Sequence, residues 1–536
     1  MGIRKTLAAA ALVFAFAFVA ATPASATTFC VPAYSAICPN AGANVAQPNL
    51  QTALNTNMSD GAPDRVILTA PAYVHGPSRI DVLGSDRLTV AGAGPDKSSI
   101  TTTQTSADYV INMFASDREI VFKDLKIIAP ESQAGGGSAV FAQGDTFENV
   151  DIEVRNPGTE FAVNFTGGGS YTGGKIYTSG AGTLNTGVIT SGASPGPLDL
   201  ERVSIIGAGR GVDSGSDLQK VTFRRGSILG ASDHAALSTH GGDLRIENSV
   251  IQSTGAQSAI YLQGQEDTKK TTIEVESSTV VAPGSVKPAI RSEVLNQAQN
   301  RSVYVDVRNS IIRGFDSTFE LSSPTAKADV GDNHLTIEHS NFNLFGTETG
   351  DGTVYLAPDN INQDPLFMSP ATGDYSLSKN SPSVDAGDPA AILPAIDILG
   401  RVRPIDGDED GTAVRDQGAF EYVPDHKGPP PGCDTVPALC PDKTAPKISK
   451  VKVRKGSVKL TLSEAAKIKV TLKLKPVGKR KQVKLSKAGK AGANTLKFKK
   501  GKLKPGNYKV TITATDGAGN RSRAVKRTLK VKKKPI

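Results

Sequence analysis

Eight stretches repeat one order of apolar and polar positions: FKDLKII from Phe122, FENVDIEV from Phe147, LERVSII from Leu200, FRRGSIL from Phe223, IENSVIQ from Ile246, VESSTVV from Val275, VRNSIIRG from Val307 and IEHSNFN from Ile337. Each opens on an apolar residue, adds a charged one, passes through a small or polar pair and ends in β-forming residues. YTGGKIY from Tyr171 is a degenerate copy, and apart from the larger step across it successive copies lie 23 to 32 residues apart. Short runs rich in Val, Ile and Thr, punctuated by Gly, Asn and Ser, read as strands with turns. A unit of this length cannot bury its apolar face alone, whereas stacked units share a continuous interior. The pattern therefore predicts an all-β chain built on a parallel β-helix. A propeller would need a longer and more even period.

Stacking predicts columns, because equivalent positions on successive coils sit about 4.8 Å apart. The second position reads Lys123, Glu148, Glu201, Arg224, Glu247, Glu276, Arg308, Glu338, with cations interspersed among carboxylates on an exposed face. Each such surface pair contributes about 0–1 kcal/mol, so the column speaks for register more than for stability. Ahead of the repeats, NLQTALNTNMSDGAPDRVILTAPAYV places Leu50 and Leu54 one helical turn apart. That predicts a short amphipathic helix covering the open end of the coil, where apolar interior and strand edges would otherwise be bare.

On these repeats, with RVILTAPAYV and LTVAGAGPDKSSI, the chain resembles the right-handed parallel β-helix, or pectin-lyase-like, family. The stretch NINQDPLFMSPATGDYSLSKNSPSVDAGDP from Asn360, continuing through DQGAFEY, resembles the choice-of-anchor Q end module of bacterial β-helix proteins. Together the resemblances cover roughly residues 27–422. They imply a right-handed solenoid with end caps; fold alone assigns no function. Lyases and hydrolases of this fold gather carboxylates and bases on one face of the coil stack.

Composition adds a compartment. Arg4 and Lys5 precede an apolar run from Leu7 to Ala21, and Ala24-Ser25-Ala26 follows with the small residues a signal peptidase reads. The expected mature chain is secreted, extracellular or held at the cell surface, with no later apolar stretch long enough to span a bilayer. The four cysteines form two local pairs, Cys30 with Cys38 and Cys433 with Cys440, as exported chains favour. Neither pair has the Cys-x₂-Cys spacing of a zinc site.

Charge divides the chain. From Lys447 on, thirty Lys and Arg face two acids, a net +28, while the remainder carries 31 cations against 50 acids, a net −19. The basic part begins after a Pro- and Gly-rich connector and contains AAKIKVTLKLK, with Lys467, Lys469, Lys473 and Lys475 on one face and Ile468, Val470, Leu472 and Leu474 on the other. This alternation predicts a half-buried strand. GNYKVTITATDGAGNRS from Gly506 resembles the last hairpin of bacterial Ig-like modules. So strong a field attracts polyanions, anionic envelope polymers or extracellular polymers among them. No motif for reading bases is visible, which excludes sequence-specific nucleic-acid recognition.

Two further stretches carry candidate chemistry. In RPIDGDEDGTAVRDQGAFEY, Asp406, Asp408 and Asp410 match the first, third and fifth ligand positions of a calcium loop, with Gly411 next. Gln417 stands where an EF-hand has Glu, and Asp416 is the substitute. A structural calcium and a solvated acidic turn that caps loop amides both fit this pattern. The second stretch spans the coils from Ile206 to Glu247. A 23-residue offset there sets Arg210 opposite Asp233, Asp217 opposite His240 and Lys220 opposite Asp243, with Asp213 and His234 close in sequence. A hydrolase needs two carboxyl groups flanking the bond, and a lyase needs a base. Asp217, Asp233, His240 and Asp243 are therefore the catalytic candidates. Against chemistry, LNTGV stops short of the polygalacturonase Asn-Thr-Asp, no Gly-His-Gly occurs, Trp is absent and aromatics make up 5%. VAGAGPDK imitates a dinucleotide turn but has Pro95 where a helix would start, and reads as a coil corner.

The chain thus divides into a signal peptide (1–26), an N-terminal cap with a Cys pair (27–58), a parallel β-helix (59–346), a closing module (347–423), a linker with the second Cys pair (424–446) and a basic Ig-like β-sandwich (447–536). The function expected is a monomeric surface protein whose coil face binds carbohydrate or another surface and whose basic module adheres to anionic polymers. A secreted polysaccharide lyase or glycoside hydrolase is the alternative.

Overall fold

The structure, a computed structural model, describes residues 26–424 and 445–532 apart from short stretches in the connections, including 57–61, 83–86, 114–118, 134–137, 216–218, 233–234, 265–269, 295–301, 324–331, 476–481 and 516–520. The signal-peptide segment, Cys433 and Cys440 lie outside the described residues. The chain divides into two compact units, 1–438 and 439–536.

The first unit is a parallel β-solenoid with three sheets. One runs from Thr28–Val31 through Asp64–Leu68 and Leu88–Ala91 to Gly352–Leu356, each strand pairing in parallel with its equivalent one turn on. The second runs from Ala72–His75 to Asn341–Phe342. The third runs from Ile80–Asp81 through Thr159–Phe165, Ala208–Ser214 and Ile260–Gly264 to Gly346–Thr349. The repeat falls in register as its pattern predicts. Phe122, Phe147, Tyr171, Leu200, Phe223, Ile246, Val275, Val307 and Ile337 form one buried interior column. The charged second positions stack outside it, with Lys123 bonded to Glu148 at 2.6 Å and Arg308 to Glu338 at 3.1 Å.

The polar third position is the corner between the first and second sheets. Asp124, Asn149, Arg202, Arg225, Asn248, Ser277, Asn309 and His339 all have φ between 46° and 56°. This left-handed turn is tolerated best by short polar side chains that can hydrogen-bond locally, and Asp, Asn and Ser fill most of it. Beyond the corner, Ser249, Ser278, Ser310 and Ser340 form a buried ladder. Each backbone N–H of Ser249, Ser278 and Ser310 donates to the hydroxyl of the next serine, at 3.1–3.2 Å, and Asn360 ends the series by accepting from Ser340 N. The ladder answers the demand that buried polar backbone be paired.

At the N-terminal end the expected helix is present as Leu50–Thr56, with Leu50, Ala53 and Leu54 buried against the first strands. Its Leu50 N–H donates to Tyr73 Oη at 2.8 Å. A Cys30–Cys38 disulfide closes the loop before it. Parallel pairing starts earlier than the sequence division placed it, because Thr28–Val31 already belongs to the first sheet.

Residues 347–423, expected as a closing module, begin by extending the coil. Gly352–Leu356 adds another strand to the coil, and Asn341 bridges to Ile361. The chain then folds back along the corner side of the last coils. Asp388 N donates to Asn309 Oδ1 at 2.6 Å, Asn248 Nδ2 to Ile396 O at 2.7 Å and Ala419 N to Thr279 Oγ1 at 3.0 Å. The physical reason is polar: the corner asparagines and threonine offer unpaired groups that the segment's backbone satisfies. The end of the coil is left with Val354 and Leu356, members of interior columns, each 36% exposed.

The second unit holds two antiparallel sheets. Ile448–Arg454, Ser457–Leu462 and Gly492–Lys497 make one. Val483–Gly489, Ala466–Lys475, Gly506–Thr515 and Val525–Val531 make the other. Val458 and Leu460 from the first meet Val470, Leu472 and Ile512 from the second in one buried core. The alternation of AAKIKVTLKLK accordingly sends Ile468, Val470 and Leu472 inward and exposes Lys467, Lys469 and Lys473.

Candidate functional site

The outer face of the third sheet carries the polar cluster most like a site. Residues alternate across the sheet. Val212, Leu237, Ile260 and Ile290 point in, and the neighbouring column Asp213, Ser238, Tyr261, Arg291, Glu320 runs along the outside. Beside it run Gln263 and Glu293, with His240 at the same edge. Arg210, Ser238, His240, Tyr261, Arg291 and Glu293 line a cleft of about 330 Å³.

Asp213 anchors the cleft. It is buried, and its carboxylate receives Arg210 Nη1, Ser238 Oγ at 2.6 Å and His240 Nε2 at 3.5 Å. Burial works to raise its pKa, but His240, Ser238 and Arg210 outweigh it and hold the carboxyl below its usual range. The same bond to Asp213 raises His240 against the opposing effect of burial. His240 Nδ1 meets Gln263 Oε1 at 3.1 Å, so both ring nitrogens are engaged within the protein. Tyr261 Oη donates to Glu293 Oε2 at 2.7 Å, and burial together with Glu293 raises its pKa. Arg291 pairs with Glu293 at 2.5 Å and Glu320 at 3.4 Å. A general base needs a lone pair within reach of a substrate proton. This imidazole has none to spare, whereas hydroxyl, amide and guanidinium groups around a tyrosine suit the binding of a polar ligand.

The sequence named His240 but not its partners. Lys220 does face Asp243, since the first sheet keeps the 23-residue offset. On the third sheet the offset is 25, so Asp213 faces Ser238 and Ser214 faces Thr239. Two residues more separate Ser227 from Leu237 than separate Ser204 from Val212, and the connection after Thr239 is shorter by two. Arg210 consequently stacks at the level of Ala235, and His240 turns to Asp213. Asp217 and Asp233 lie outside the described residues. Asp243, on the first sheet, accepts Thr272 N at 2.9 Å and takes no part in the cleft.

The acidic turn gathers Asp406 and Asp408 with Asp385, carboxylate oxygens all within 4.8 Å of one another. Asp385 Oδ2 accepts Gly407 N and Asp408 N, each at 2.8 Å. Asp406 Oδ2 accepts Gly411 N at 3.0 Å, while its Oδ1 is buried without a hydrogen-bond partner. Asp410 instead caps Thr412 N at 2.7 Å. Asp416 is buried apart from the three, accepting Asp385 N and Tyr422 N. Asp385 escapes a sequence scan because it precedes the turn by some twenty residues, and DAGDP has no ligand spacing of its own.

A larger cavity of about 720 Å³ lies between the second sheet and the folded-back segment, lined by Val281, Pro283, Phe367, Pro370 and Tyr375. Its polar neighbours are already committed: Gln252 donates to Tyr375 Oη, and Arg313 to Asn343, Asn362 and Gln363. In the second unit, exposed Lys467, Lys469 and Lys473 share a sheet face with Lys484, Lys509 and Lys526; Lys475 lies on the same strand.

No family model matches the chain, and no curated protein matches it. Among solved structures, ORF18 of Geobacillus virus E2 is similar over 55% of this chain and 57% of its own, at 14% identity and a TM-score of 0.31. Full-length tailspike protein 2 (ORF211) of the Escherichia coli O157:H7 bacteriophage CAB120 is similar over 90% of this chain and 65% of its own, at 10% identity and a TM-score of 0.25. The chain thus spans less than two thirds of either protein. With values this low, function rests on the chain's own residues. Among the described residues no helix is long and apolar enough to cross a membrane.

Proposed function

We propose that the protein is an extracellular binding protein: the third-sheet cleft takes a carbohydrate and the basic unit adheres to anionic polymers. The observation that carries this reading is His240, whose two nitrogens are held by Asp213 and Gln263, so the imidazole serves the cleft as a fixed binding group and not as a free base. Tyr261 supplies a ring edge and Arg210, Ser238 and Arg291 supply donors, the mixture of one amphipathic surface and a few placed polar groups that small-ligand sites use. The test is a panel of neutral and acidic polysaccharides offered to the chain from residue 27 onward, with bound polymer and new chain ends measured together. Binding without new ends, weakened about tenfold or more by Tyr261→Ala in proportion to about 1.4 kcal/mol, is the expected result. New chain ends would turn the cleft into the active site of a lyase or hydrolase.

The Asp385–Asp406–Asp408 group supports a structural calcium, since a hard cation takes carboxylate oxygens and Asp406 Oδ1 has no other partner. A bound ion at a hundredfold over its Kd would add about 2.7 kcal/mol to the folded state. Chelator should then lower the first unit's melting temperature, and calcium should restore it. An unchanged melt would make the aspartates turn caps only.

A further inference from the structure

We propose that the basic unit has two independent polyanion-binding faces and therefore cross-links linear polyanions; this rests on the adhesion reading above and adds valence to it. The two sheets turn their apolar residues into one core, so their outer faces point in opposite directions. On the four-stranded sheet the outer face presents Lys467, Lys469, Lys473, Lys484, Lys509 and Lys526. On the three-stranded sheet it presents Lys452, Arg454, Lys459 and Lys497. Of the two acids from Lys447 on, Glu464 sits in a connection and Asp516 follows Gly506–Thr515, so no strand of either sheet bears a carboxylate.

Each face also sets like charges directly opposite one another across strands, Lys473 against Lys509 and Lys452 against Lys459. Such pairs destabilise an isolated sheet. A bound polyanion relieves them, so the lattice is better suited to the complex than to the free protein. Cations recur about every 6.8 Å along a strand and about 4.8 Å between strands, which accommodates a flexible chain of charges in many registers and selects no sequence. Packed sheets lie about 10 Å apart before their side chains are added, beyond the Debye length of about 8 Å at physiological salt. Each face thus attracts its own polymer segment.

The experiment mixes the chain from residue 27 onward with long-chain inorganic polyphosphate and follows both binding and light scattering. Two variants carry Gln at one face each: Lys467, Lys469, Lys473 and Lys509 in the first, Lys452, Arg454, Lys459 and Lys497 in the second. The parent should scatter maximally near charge equivalence and clear in excess polyphosphate. Each variant should still bind, weakened about tenfold, while its scattering falls by about tenfold or more. Binding by the parent without scattering, or one variant losing both signals while the other keeps both, would overturn the two-faced arrangement. Scattering by the protein alone would also overturn it, making the acidic solenoid of another copy the partner. No binding by the parent would instead defeat the adhesion reading itself.

Discussion

Phe147→Ala is expected to destabilise the solenoid by about 3–5 kcal/mol, the range for deleting a large buried aromatic. Phe147 is fully buried in the interior column of the first sheet. Its ring stacks on Phe122 at 6.0 Å, lies 5.4 Å from Tyr171 and meets Phe165 edge-on at 5.8 Å. In a stacked coil each ring supports the ones above and below, so truncation loses contacts on both sides and leaves a cavity that rigid parallel strands cannot close. Tyr171, whose hydroxyl donates to Val150 O at 2.6 Å, is pinned at its far end and cannot slide into the gap. Phe147→Leu, which refills most of the space, should cost less than half as much. Denaturant unfolding of the solenoid, followed apart from the basic unit, measures both. A loss under about 1 kcal/mol for alanine would mean that the column does not bear the stacking its register describes.

Much of the fold was legible because the repeat is a statement about contacts. Phe122 over Phe147 and Lys123 over Glu148 can be read from aligned text, since parallel strands in register place equal positions next to each other. The corner was legible only as a small or polar pair. That its third position is left-handed in every copy follows from geometry that Arg202 and His339 do not advertise. The cleft was legible less well. A single offset does not hold over a whole turn, which lengthens by two residues before the third sheet and shortens by two after it. A register slip of that kind keeps inside and outside correct, because two is the period of a strand, while changing every lateral partner. His240 is therefore legible as a candidate while its pairing with Asp213 is not.

The path of the folded-back segment is not legible in the sequence, for a different reason. Sequence logic asks what covers the apolar end of a coil, and residues following the last repeat are the obvious answer. The corner of the last coils competes for the same segment with Asn248, Thr279 and Asn309, whose polar groups accept or donate to its backbone. An isolated buried polar group loses about 1–3 kcal/mol when unpaired, so a row of them outbids a few half-exposed valines and leucines. The segment has a core of its own that is polar too, with Arg403, Asp397, Arg415, Asp416 and Glu421 all buried.

Within that polar core, Arg403→Ala is expected to destabilise the folded-back segment by about 3–5 kcal/mol, the usual cost of stranding one partner of a buried ion pair. Arg403 and Glu421 are both fully inaccessible at their side chains and lie 3.4 Å apart. Arg403 Nη2 also donates to Gly418 O at 2.8 Å, and Glu421 accepts Asp416 N at 3.0 Å and Ile405 N at 3.2 Å. Burial already raises the Glu421 pKa against the pull of Arg403, and burial with Glu421 alongside raises Asp416. Without the guanidinium, Glu421 rises further. A carboxyl whose folded pKa is raised favours the fold below its unfolded value, about 4.3, and loses that contribution as pH climbs through the folded value. The defect should therefore be smallest near pH 4 and grow toward neutrality. Adding Glu421→Gln to Arg403→Ala should return part of the loss at pH 7, because position 421 then carries no unpaired charge to bury. Hydrogen exchange at residues 396–422 reads this directly, since Gly418 N and Ala419 N hold the segment to Asn309 O and Thr279 Oγ1. Protection that fell equally at pH 4 and pH 7, with no recovery in the double variant, would show that Arg403 acts through packing and not through the charge it neutralises.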